Sequence, residues 1–170
     1  MSDFRAYFFN NMYLNGIHNG IQAGHALDQL WSSLTEAKGK RTKRTKSAEA
    51  KFAMLREFSR DHKTWICLNG GDHELLGNLY KNLSGQTLYP FTMFQEPGLN
   101  FANTAIVVIL PERMYDDTAR SVGKALLKGD PYPFSQNWPA IEIDLKVRDR
   151  KYTPWEREFL RFKETCGKAV

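Results

Sequence analysis

Hydrophobic positions fall into short groups whose spacing changes along the chain. Phe4, Tyr7, Phe8 and Phe9 are strong sheet formers interrupted by Asn10-Asn11, which predicts a strand over 4–10. The period then becomes helical. Ile17, Ile21, Leu27, Leu30, Trp31 and Leu34 predict a helix over 17–35 that packs through those residues, with Gly20 and Gly24 allowing a close approach. Residues 38–46 (KGKRTKRTK) hold no apolar side chain and read as a basic loop. Ser47 is expected to cap a second helix reaching 61, with Phe52, Leu55 and Phe58 inward.

A short apolar run over 63–68 reads as a buried strand, and Asn69-Gly70-Gly71 as the turn after it. Asp72 would cap a helix carrying Leu75, Leu76, Leu79 and Leu83 and stopping at Ser84-Gly85. Strands over 89–95 and 104–110 complete the pattern, the second apolar throughout and therefore central. The order strand, helix, helix, strand, helix, strand, strand predicts an α/β fold: a mixed four-stranded β-sheet with helices on both faces, over residues 1–112. Residues 113–170 read as an α/β extension packed on that core. It holds a helix over 113–128, a proline-interrupted loop over 129–139, a strand over 141–147, and a helix starting at Thr153-Pro154-Trp155-Glu156.

The 170 residues include 42% hydrophobic ones, enough for a core without disulfides or metals. No membrane-length apolar stretch or signal-peptide pattern is present, so a cytoplasmic protein is expected. Cys67 and Cys166 lie in no metal-binding spacing, which points to reduced thiols and neither metal nor cofactor. The net charge of +5 raises the prospect of an anionic partner such as RNA or a nucleotide. Lys38, Lys40, Arg41, Lys43, Arg44 and Lys46 supply the cations that a phosphate backbone requires, or else form a solvated loop.

The segment His18-Asn19-Gly20-Ile21-Gln22-Ala23-Gly24-His25-Ala26 carries the candidate chemistry. On a helix, His18, Gln22, His25 and Gln29 fall within about 60° of arc and form a polar stripe. Either they point at one ligand or they are a solvated face. Gly70-Gly71-Asp72 at a helix start offers backbone N–H groups to a phosphate, but reads better as a capped turn. Tyr132, Phe134, Trp138, Tyr152 and Trp155 suit packing of the extension better than base stacking.

The segment 18–26 resembles the signature on the first helix of the peptidyl-tRNA hydrolase 2 family, with Gln22, His25 and Ala26 matching directly. Residues 65–83 and 91–112 are similar to later family elements, in the same order. Phage-encoded relatives open similarly to Met12-Tyr13-Leu14 and Gly20-Ile21-Gln22-Ala23-Gly24-His25. The resemblance implies hydrolysis of the ester joining a peptide to the tRNA 3′ end, and a family that often forms homodimers. It puts His18 where the family has lysine, Glu96 where it has aspartate and Asn100 where it has threonine. Gly98 and Thr104 agree with the family.

Those departures leave three alternatives. The first is an esterase with Gln22 and His25 shaping the site and Glu96 as base. The second is a non-catalytic, phage-type binder of a nucleotide, cyclic oligonucleotide or RNA end that counters host defence. The third is a protein-interaction module.

Overall fold

The computed structural model describes residues 3–39, 45–86, 88–127 and 152–167. They include strands β1 (Phe4–Asn11), β2 (Thr64–Gly71), β3 (Phe91–Glu96) and β4 (Ala102–Pro111) and helices α1 (Gly16–Gly39), α2 (Lys46–Glu57) and α3 (His73–Gln86). Helices α4 (Asp117–Leu127) and α5 (Pro154–Thr165) follow. The sheet has the order β2-β1-β4-β3, with β1 and β2 parallel and the other neighbours antiparallel. The expected mixed four-stranded sheet is therefore present, and β4 is internal.

The alternation of β1 explains its aromatic composition. Phe4, Ala6 and Phe8 join Ala105, Val107 and Ile109 of β4 in one buried cluster with Ala23, Ala26 and Leu30 of α1 and Leu55 of α2. On the opposite face, a Cβ on Gly70 would stand 2.7 Å from Leu76 Cδ2 of α3 and 2.8 Å from Phe9 Cβ. Glycine at that position lets α3 close over Phe9.

The packing face of α1 differs from the expected one. Ile17 and Ile21 are 77% and 47% exposed, whereas Ala23, Ala26 and Leu30 are buried together with Asn19 and Gln22. Leu30 is buried as expected and Leu27, Trp31 and Leu34 pack against the same cluster, so the departure is confined to Ile17 and Ile21, and Ala23 and Ala26 bring the helix close to the sheet. Gly20 and Gly24 are not packing positions, because a Cβ at either would meet nothing within 4 Å.

Several boundaries also move. Helix α1 runs through Lys38 to Gly39, and α2 begins at Lys46 with Thr45 as its cap; Thr45 Oγ1 accepts from Ala48 N at 3.3 Å, the role expected of Ser47. After Glu57 the helix continues as a π turn over Phe58–His62, ended by left-handed Lys63 at φ 52°. Strand β2 extends through the expected turn to Gly71, and Asp72 caps α3, its Oδ1 accepting from Leu75 N at 2.9 Å. Helix α3 runs past Ser84-Gly85 to Gln86.

The chain divides into two compact units, Met1–Glu112 with Cys166–Val170, and Arg113–Thr165. In the second, α4 and α5 pack so closely at Gly123 that a Cβ there would be 2.8 Å from Leu160 O. Helix α5 opens with a reciprocal cap: Glu156 N donates to Thr153 Oγ1 at 3.2 Å and Thr153 N to Glu156 Oε2 at 2.8 Å. Buried Tyr152 donates its hydroxyl to Arg113 O at 2.7 Å, and Trp155 stacks on Phe159, so both serve packing. The loop over 129–139, with Tyr132, Phe134 and Trp138, and the strand over 141–147 lie outside the described residues.

Two substitutions on α1 distinguish its faces. Leu30→Ala should cost about 2–5 kcal/mol in urea unfolding, and Ile17→Ala no more than about 0.5 kcal/mol. The reverse order would contradict the packing face described.

Candidate functional site

A bulge sets up the site. Phe94 pairs with Ala105 and Gln95 with Asn103, which leaves Thr104 as an extra residue in β4. Without it, alternation would place neighbours on opposite faces; with it, Thr104 and Ala105 both face α1 while Asn103 faces α3. Thr104 Oγ1 donates to Gln22 Oε1 at 2.7 Å. On the other face, Asn103 donates to His73 twice: its N to Nδ1 and its Nδ2 to the backbone O, both at 2.9 Å. Gly77 of α3 makes room for this clamp, since its Cβ would stand 3.3 Å from Asn103 Nδ2.

Gln22 passes the connection on. Its Nε2 donates to Glu96 Oε2 at 2.7 Å. An ionised carboxylate only accepts, so the amide nitrogen must face Glu96 and the amide oxygen must take the Thr104 proton. Gln22 is 6% exposed and Thr104 1%, so the bond between them is sheltered from competing water, whereas the bond to Glu96 is only partly buried. Glu96 Oε1 accepts from Gly98 N at 3.2 Å. His25, on the same flank of α1, stacks on Phe94 with ring centroids 4.9 Å apart.

These donors hold the Glu96 carboxyl below the usual carboxylate range. The Gln22 amide contributes most and the Gly98 N–H next; partial desolvation opposes them, and the charge of nearby His25 adds to the lowering. Glu96 is thus ionised throughout the neutral range. Each oxygen keeps a lone pair beyond its one protein donor, and so can hold a water or a ligand donor.

Beyond Glu96 the chain makes a 3-10 turn over Pro97–Leu99, closed by a hydrogen bond from Phe101 N to Glu96 O at 3.0 Å. Asn100 and Phe101 are both left-handed, at φ 52° and 58°. This conformation costs roughly 1–2 kcal/mol for each non-glycine residue. The Phe101 ring is also 61% exposed.

The structure therefore joins Gln22, His25, Glu96 and Thr104. His18 lies one turn before Gln22 and is exposed, as is Asn100 at the hairpin tip; the hydrogen-bonded network reaches neither side chain. Within the polar stripe Gln22 is buried on the packing face of α1, whereas His18 is exposed. Lys38 is in the last turn of α1, roughly 24 Å along the helix axis from Gln22. Lys46 is exposed at the start of α2. Lys40, Arg41, Lys43 and Arg44 lie outside the described residues. Gly70 and Gly71 form no phosphate cradle: both lie in β2, and Gly71 N donates to Asn69 Oδ1 at 2.9 Å.

A cleft of about 500 Å³ was not foreseen. It is lined by Asn11, Tyr13 and Leu14 after β1, Asp72, His73 and Glu74 at the start of α3, and Leu99, Ala102 and Thr104 of the hairpin. It opens where the parallel strands β1 and β2 lead to helices on opposite faces of the sheet, the kind of strand-end crevice that binds ligands in α/β folds. The polar ends of both strands, Asn10-Asn11 and Gly70-Gly71-Asp72, were the legible signal once the strands were paired.

Among the described residues, no group of three potential metal ligands occurs and no helix is long and apolar enough to cross a membrane. Compared with known protein families, curated proteins and solved structures, the chain matches none.

Replacing Gln22 by Met should raise the Glu96 pKa toward the ordinary glutamate value in a carbon-detected NMR titration. Because the folded-state pKa is depressed, the stability linked to Glu96 is present above the unfolded-state pKa and lost as pH falls through the folded one. Wild-type stability should consequently decline more than that of Gln22→Met across this acidic interval.

Proposed function

We propose that the protein is an esterase of the peptidyl-tRNA hydrolase 2 type, acting on the ester between a peptide and the 3′ end of tRNA. The Thr104–Gln22–Glu96 relay carries this reading, because it aims an ionised carboxylate with spare lone pairs outward from the end of an edge strand. Glu96 orients the attacking water and accepts its proton, while Gln22 fixes the carboxylate and Thr104 fixes Gln22.

The binder reading draws support from the depressed pKa of Glu96, since a base tuned for catalysis near neutrality is ordinarily raised.

Hydrolysis of N-blocked aminoacyl-tRNA tests the choice. Glu96→Gln should lower kcat about 100-fold or more with KM little changed. No turnover by folded wild type would end the esterase reading. For tRNA binding, Lys38→Gln with Lys46→Gln should flatten the log–log salt dependence by about 2. An unchanged slope would mean that these lysines touch no phosphate.

A further inference from the structure

From the outward face of α1, we infer that two copies of this chain pair back to back through that helix, antiparallel about a two-fold axis between Gly20 and Ile21. Ile17 and Ile21 are 77% and 47% exposed, and Met12 and Tyr13, just before the helix, are exposed as well. A surface helix ordinarily turns charged side chains outward. Here no residue between Arg5 and Asp28 carries a formal charge, in a chain of which 25% is charged. Exposed aliphatic side chains in a stretch without charge have the composition of an interface core, not of a solvated face.

The shape of the face selects the partner. Ile17, Gly20, Ile21 and Gly24 recur at the spacing that puts them on one side of a helix. A Cβ on Gly20 or Gly24 would meet nothing within 4 Å, so nothing described inside the chain requires glycine at either place, and alanine would make the stronger helix. The glycines leave hollows beside the isoleucines.

In a two-fold dimer the partner presents the same patch, so the patch must complement itself. This one does so in one orientation. With the helices antiparallel about that axis, Ile17 of each copy lies opposite Gly24 of the other, while Gly20 and Ile21 meet their own counterparts. A parallel pairing would set isoleucine on isoleucine and glycine on glycine throughout. Each copy carries a net charge of +5, so contact is least opposed on a face without cations. Over two copies the exposed surface of Met12, Tyr13, Ile17 and Ile21 comes to about 1,000 Å², the lower end for a specific interface, so the dimer is a weak one that dissociates in the micromolar range. Gln22 is buried on the opposite side of the helix, so the inference does not depend on the esterase reading.

Sedimentation equilibrium of the full chain, from low micromolar to half-millimolar concentration, tests the pairing. Wild type should dimerise, and Ile17→Glu should weaken the dimer about 100-fold by placing a charge in the contact. Gly24→Ala should raise the urea midpoint of the dilute chain yet weaken the dimer about tenfold, and these opposite signs separate the contact from a folding defect. Mild oxidation tests the register, with wild type as the control for Cys67 and Cys166. Ile21→Cys should cross-link to its counterpart, whereas the two copies of Ile17→Cys lie roughly 10 Å apart along the helix and should not. A wild type that stays monomeric throughout would overturn the inference and leave this face to a different protein. So would a dimer indifferent to both Ile17→Glu and Gly24→Ala, or equal cross-linking of the two cysteine variants.

Discussion

Helix α1 lies close to the sheet because the cluster it shares with β1 and β4 contains alanine on both sides: Ala23 and Ala26 on the helix, Ala6 and Ala105 on the strands. That proximity lets a glutamine side chain span from helix to sheet and meet both Thr104 and Glu96. Larger residues at those helix positions would lift α1 and pull the amide from both partners. Core packing and site geometry are thus a single constraint, and the buried hydrogen bonds add direction to a contact that hydrophobic burial alone would leave free to slide.

The two faces of the sheet carry different polar work. Toward α1 the network ends in an ionised carboxylate, and toward α3 it ends at His73, whose Nδ1 and backbone O both accept from Asn103. They meet at adjacent residues of β4, Asn103 and Thr104. Both ends of the network are held by buried partners, Gln22 on one face and Asn103 on the other.

Much of this was legible in the residues. Aromatic and β-branched runs marked the strands, and the polar dipeptide after β1 marked its end. The capping pattern at Thr153 through Glu156 described its helix start in full. Leu27, Leu30, Trp31 and Leu34 of α1 pack as their spacing indicates, but Ile17 and Ile21 do not, because the close helix–sheet contact is made by the small side chains of Ala23 and Ala26. Gln22, His25, Glu96 and Thr104 were identified chiefly through resemblance, since nothing local announces a hydrogen bond between positions so far apart in the chain. The cleft was invisible for a related reason: Asn11, Asp72 and Leu99 become neighbours only after β1 pairs with β2 and β4.

The extra residue in β4 is additive. Asn103 faces α3 and Ala105 faces α1 with or without Thr104 between them, because without it the two become neighbours, and strict alternation puts neighbours on opposite faces. Removing Thr104 would leave the ladder in register, keep the Asn103 clamp and take away one hydroxyl. A single inserted codon is therefore enough to graft a polar group onto the packing face of an existing strand, so a site of this design can be gained or lost in descent without remaking the sheet around it.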